Sequence, residues 1–231
     1  MTSGRTFEPA YRAVIFDLDE TLIDSRPAWR YTLEETLMSV ANRRIDARPL
    51  VEEYHRRPWR DSLAIVLLDP EERRRAEELC ERIEGRSAMK RLLVFDGTGM
   101  ALDDVRAARI EIGAISRLPH PIALKQTQAT GVDRFLTVLS ATPEGEEWAV
   151  GTRASECLSY FGREAEGCVF VGADEGDMEA AREMGLVGLR AGWSPRAEGD
   201  GGGELAAPAE AAKVLLWGLR AVGLSPAPNG G

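Results

Sequence analysis

The chain has 231 residues, 44% hydrophobic and 29% charged, a balance that excludes wholesale disorder and suits one large domain or one domain carrying an insertion. Its longest apolar run, Leu63 to Leu68, is far short of the roughly 18 residues of a membrane span, and no apolar stretch of the secretory kind follows Met1. A net charge of -9 argues against a general nucleic-acid binder, and three cysteines (Cys80, Cys157, Cys168) without CxxC spacing read as reduced thiols of a cytoplasmic protein.

In chain order, the first predicted element is a buried strand at 13–16. Roughly 70 residues separate it from the next apolar segment at 92–95, too many for one crossover helix. This stretch is rich in Arg and Glu with helical periodicity, and reads as helices at 26–39, 61–68 and 71–84. Pro70 opens the third and Gly85 ends it. Further strands are predicted at 112–115, 135–139, 168–171 and 186–189, with helical patterns in several gaps. A Gly-rich loop at 198–203 precedes a helix at 206–222, and 223–231 reads as a flexible tail. The fold class implied is α/β: a Rossmann-like parallel-sheet core with an inserted α-helical cap domain. The core would comprise 1–24 and 91–222, and the cap 25–90.

Ligands of such sheets bind beyond the carboxyl ends of the strands, so the residues just after each strand matter most. After the first stands Asp17-Leu18-Asp19-Glu20-Thr21. Residues two apart on extended chain point the same way, so Asp17 and Asp19 can face one pocket. Their mutual repulsion calls for a divalent cation, a shared proton, or both, and Mg²⁺ suits carboxylate oxygens beside a phosphate. One carboxylate could then attack phosphorus while the other moves a proton. The plainer reading is a turn closing a strand, with Asp19 as a simple cap on the next segment.

This motif resembles the first motif of the haloacid dehalogenase-like (HAD) superfamily, a strand followed by DxDxT. The resemblance spans about residues 11–193, with the insertion in the place of that family's helical cap. It implies that Asp17 is a nucleophile forming an aspartyl-phosphate. Asp19 would be the general acid/base, and its backbone carbonyl a Mg²⁺ ligand. Ser116, directly after the second core strand, is similar to the family's second motif and would bind the phosphoryl group. Arg117 beside it reads either as a phosphate contact or as a solvated cation. The segment Val171-Gly172-Ala173-Asp174-Glu175-Gly176-Asp177 resembles the fourth motif, where Asp177 matches the second acid. Ala173 stands where the family has a metal-binding Asp. Asp174, one step later, reads equally as a metal ligand or as a helix N-cap.

The family also supplies a lysine that offsets the charge of nucleophile and phosphate. Only Lys90, Lys125 and Lys213 exist here, none of them near the corresponding position. Arg153 is the choice on chain order, with Lys125 and Arg117 as alternatives. In the insertion, Arg60 within Tyr54-His55-Arg56-Arg57-Pro58-Trp59-Arg60 faintly resembles the substrate loop of beta-phosphoglucomutase-like caps. The competing reading is a solvated basic face. His55 and His120 sit on no metal-ligand spacing. The function implied is a Mg²⁺-dependent phosphatase acting on a small phosphorylated metabolite, with neither nucleic acid nor membrane as partner. The alternatives are a phosphomutase, and a weakened or inactive descendant that binds a ligand or partner. The sequence is silent on oligomeric state.

Overall fold

A parallel sheet covered by helices on both faces needs strands that are apolar throughout, and the segment Ala-Val-Ile-Phe-Asp at 13–17 is buried at every position. The computed structural model describes residues 7–41, 46–53, 59–197 and 204–225. In chain order it contains β1 (Ala13–Asp17), β2 (Ile23–Asp24), α1 (Arg26–Ala41), α2 (Arg48–Glu53), α3 (Trp59–Val66), α4 (Pro70–Glu84), β3 (Leu93–Val94) and α5 (Thr98–Ala107). Next come β4 (Glu111–Pro119), α6 (His120–Thr130), β5 (Val138–Thr142), α7 (Val150–Phe161), β6 (Cys168–Gly172), α8 (Glu175–Glu183), β7 (Val187–Ala191), β8 (Glu204–Leu205) and α9 (Pro208–Trp217). The loop at 198–203 lies outside the described residues, as do 54–58 and the end of the chain from 226.

Two compact units emerge, one of Met1–Ile23 with Val94–Gly231 and one of Asp24–Leu93. In the first, six strands form a sheet in the order β5-β4-β1-β6-β7-β8, and all its pairings are parallel. β1 lies between β4 and β6, with Asp17 level with Ile115 and Phe16 level with Val171. The chain runs outward from β1 to β5 on one side, then returns to build β6, β7 and β8 on the other. This reversal opens a crevice at the carboxyl ends of β1, β4 and β6. One packed layer beneath it joins Ile15, Ile115, Cys157, Phe161, Phe170 and Leu186.

The second unit is helical and has its own core, which includes Trp29, Leu33, Leu37, Leu63, Leu67 and Cys80. Trp29 and Trp59 meet edge to face with centroids 5.3 Å apart. Its helices obey local signals closely. In α4, Pro70 takes the first turn and the Asp69 carboxylate accepts the Glu71 amide at 2.7 Å. The strand expected at 135–139 begins only at Val138. Asp133–Phe135 instead form a 3-10 turn that buries Phe135 before the strand starts. Apolar character there signals burial rather than extension.

Candidate active site

The exit from β1 is an unusually tight loop. The Glu20 amide donates to the Ile23 carbonyl at 3.0 Å, and the Ile23 amide to the Leu18 carbonyl at 3.1 Å. Glu20 is held at φ 62, in the left-handed region that side chains rarely adopt. This turn follows directly on Asp17, which is fully buried at the carboxyl end of β1, and contains Asp19. Strain in so short a segment is characteristic of functional loops.

β4 supplies the next two residues. The buried Ser116 hydroxyl donates to Asp19 Oδ2 at 3.0 Å, and the Arg117 amide donates to the same oxygen at 2.8 Å. Arg117 then sends its guanidinium to Asp174 Oδ2 at 2.9 Å and lies 5.4 Å from the Trp148 ring centroid. Ser116 and Arg117 are therefore gathered at the carboxylates, and both fix the orientation of Asp19.

After β6, the chain closes a reciprocal cap on α8. Asp174 Oδ1 accepts the Asp177 amide at 3.0 Å, while Asp177 Oδ2 accepts the Ala173 amide at 2.8 Å and the Asp174 amide at 3.2 Å. The N-cap reading of Asp174 is thus observed: one oxygen caps the helix, and the other pairs with Arg117 and Arg196. Gly172 makes this possible, since a Cβ there would stand 2.7 Å from Asp177 Cβ.

The cation in the cluster is one that sequence reasoning missed. Arg196, in the loop after β7, is 8% exposed and reaches into the carboxylates. Its Nη1 donates to Asp17 Oδ2 at 2.7 Å and to the Asp19 carbonyl at 3.2 Å. Its Nη2 pairs with Asp174 Oδ2 and stands 3.9 Å from Asp177 Oδ2. The loop is built to present it: the Trp193 indole N–H donates to the Thr21 carbonyl at 2.9 Å, and the Arg196 amide donates to Ser194 Oγ at 3.1 Å. The available signal was position, because Arg196 comes after the strand expected at 186–189. Only the order of strands in the sheet, which chain order does not reveal, brings that loop beside β1.

Arg153 is engaged elsewhere. Its guanidinium donates to the Ala141 carbonyl at 3.3 Å and pairs with Glu156 at 3.0 Å and Glu146 at 3.3 Å, none of which belongs to the Asp17 cluster. The choice made on chain order is thus not found at the carboxylates, because acidic neighbours on α7 and in the preceding loop hold Arg153 beside β5. Arg60 pairs with Glu81 and Glu77 of α4 and lies 4.5 Å from the Trp59 ring centroid, the contacts of a salt-bridged helix surface. Its neighbours 54–58, His55 among them, lie outside the described residues. Lys125 is exposed on α6.

The electrostatics stem from burial. Desolvation first, then the nearby Asp177 and Asp19 carboxylates, push the Asp17 carboxyl well above its usual range, against the opposing pull of Arg117. Burial likewise raises Asp19, opposed by the hydrogen bonds from the Arg117 amide and the Ser116 hydroxyl. Asp177 is raised by burial and by Asp174, opposed by the Ala173 and Asp174 amides. Direct contact with a guanidinium is what such a group of acids requires to remain ionised. Asp17 Oδ1 and Asp177 Oδ1 are buried with no hydrogen-bond partner among the described residues.

Comparison with known proteins gives the family. Residues 14–189 match the family model of haloacid dehalogenase-like hydrolases. Among curated proteins, the chain is 28% identical over 199 residues to a phosphoglycolate phosphatase of Xylella fastidiosa, covering 82% of this chain and 83% of that one. It is 29% identical to another from Xanthomonas campestris, covering 80% and 85%. Among solved structures, a HAD-superfamily hydrolase of subfamily IA from Geobacter sulfurreducens superposes with a TM-score of 0.77 at 18% identity, covering 90% of this chain and 97% of that one. A putative beta-phosphoglucomutase from Thermotoga maritima gives 0.74 at 19% identity, covering 88% and 98%. With most of its length matched by that family model, the chain belongs to the haloacid dehalogenase-like hydrolases.

Proposed function

We propose that the protein is a phosphatase that cleaves a small phosphorylated metabolite through an aspartyl-phosphate on Asp17. The observation that carries this reading is the orphaned, buried Asp17 Oδ1 at the carboxyl end of β1, with Asp19 oriented beside it. In the first step, Asp17 Oδ1 attacks the phosphorus of the ester, the P–O bond to the alcohol breaks, and Asp19 delivers its proton to the departing oxygen. Burial raises the Asp19 carboxyl from its ordinary value, the direction that suits a proton donor. In the second step, Asp19 removes a proton from water as it attacks the acyl phosphate, releasing inorganic phosphate and restoring Asp17. Ser116 and Arg117 keep the proton carrier in register, and the Arg117 guanidinium adds positive charge near the departing group.

Mg²⁺ is proposed as the cofactor; the donors present are of the right chemical type, although Arg196 engages them in this structure. Asp17 Oδ2, the Asp19 carbonyl and Asp174 Oδ2 are hard oxygens turned to one region, and Asp177 steadies Asp174 from behind. When bound, the ion would offset the charge of the carboxylates and the phosphoryl group. Among the described residues, however, no three acidic or ligating side chains stand grouped for a metal as they are. The names of the curated relatives make phosphoglycolate the first ester to assay. Buried thiols without disulfides accord with a cytoplasmic setting.

The test is phosphate release from a panel of small esters with Mg²⁺ present. Wild type should turn over at least one ester, and Asp17→Asn should lose at least ~10³-fold in kcat. Asp19→Asn should lose about 10²–10⁴-fold, the usual contribution of a general acid. A phosphomutase would pass the phosphoryl group to a second hydroxyl of the substrate instead of to water, so product analysis separates the two. The rival reading, a binding protein on this fold, draws on the direct contact of Arg196 with Asp17. Wild type inert across the whole panel would favour it.

A further inference from the structure

We infer that Arg196 is a built-in cation holding the position that a divalent ion would take, so that the seated guanidinium and Mg²⁺ exclude one another. This deepens the proposed function and rests on it for the identity of the metal donors. The three oxygens assigned to the ion are the three that Arg196 already binds: Asp17 Oδ2 at 2.7 Å, the Asp19 carbonyl at 3.2 Å, and Asp174 Oδ2. Both Nη1 contacts and the Nη2 contact point inward, and the side chain is 7% exposed. A planar guanidinium and a hydrated ion cannot share these oxygens.

The seat is constructed rather than incidental. The Trp193 indole is tied to the loop after β1 at Thr21, so the loop that carries Arg196 is fastened to the loop that carries Asp19. Ser194 closes a turn by accepting the Arg196 amide and donating its own amide to the Ala191 carbonyl at 2.9 Å. Ala173, the buried residue directly after β6, carries a methyl group and adds no carboxylate to the cluster. A competing ion therefore meets a shortened donor set and a fixed rival. Asp17, Asp19, Asp174 and Asp177 face Arg196 and Arg117, which leaves a net negative cluster that a divalent ion would neutralise further if Arg196 withdrew. The apparent affinity for the ion is its intrinsic affinity reduced by the fraction of molecules with Arg196 unseated.

The experiment is a titration of the full-length protein with Mn²⁺, a paramagnetic substitute for Mg²⁺, with free ion read by electron paramagnetic resonance. Arg196→Ala and Arg196→Gln should each bind one Mn²⁺ at least ~10-fold more tightly than wild type. In parallel, Mg²⁺ should raise the melting temperature of both variants more than that of wild type. Arg196→Gln fills most of the same space without the charge, so it serves if the alanine variant folds poorly. Equal Mn²⁺ affinity in wild type and variants, or no binding by any of them, would overturn the inference. Because binding rather than turnover is read, a failure of the phosphatase reading shows up separately, as the absence of phosphate release.

Discussion

Gly172 is the residue on which the acid cluster turns. A Cβ there would stand 2.6 Å from the Phe170 ring and 2.8 Å from Asp177 Oδ2, so the strand end must be bare for Asp177 to fold back over it. Gly172→Ala should therefore lose about 1–3 kcal/mol, the usual cost of overpacking, in urea unfolding. It should also weaken phosphate release by displacing Asp174 and Asp177 together. A variant as stable and as active as wild type would mean that the cap on α8 is not what holds the acids. At this scale Asp17 and Asp19 were legible, because a carboxylate pair closing an apolar strand is a local pattern. Arg196 was not, because its place beside them depends on which strands are neighbours.

At the scale of elements, local chemistry decides most boundaries. Asp69 caps α4 and Pro70 occupies its first turn, with Glu71 and Glu72 at the positive end of the helix. Asp69→Ala should cost about 1 kcal/mol, read as a shift in the urea midpoint at unchanged slope. Helical periodicity located α1 and α3 to within a few residues, and Pro70 and Gly85 bounded α4. Short elements fared differently. Six-residue α2 and two-residue β8 carry too few periodic positions to register in a sequence pattern. The pattern starts β5 too early because Phe135 is apolar, yet the 3-10 turn before the strand buries it just as well.

Across the whole molecule, each unit keeps a fully buried thiol in its core, Cys80 among the helices and Cys157 beneath the sheet. Burial pushes Cys80 up to about 11 and Cys157 up to about 12. The folded chain thus favours the neutral thiols, while the unfolded chain ionises near a pH of about 8.5. Their contribution to stability is complete below that value and is lost as pH rises through the folded pKa values. Stability should fall progressively above pH about 9, and Cys157→Ala should flatten part of that decline in unfolding curves at pH values on either side. An unchanged slope in the variant would assign the alkaline loss to other groups. The α/β class and the helical insertion were legible at this scale from strand spacing and one overlong gap. The strand order was not, and with it went the identity of the cation facing Asp17. The claim on which the functional account rests is covalent phosphorylation of Asp17. Its most direct test is acid quenching during turnover of a phosphate-radiolabelled ester, with peptide mapping of the quenched protein. The account predicts label on the peptide containing Asp17, lost on hydroxylamine treatment and absent from Asp17→Asn. Turnover with label on a different residue, or with no labelled protein at all, would contradict it.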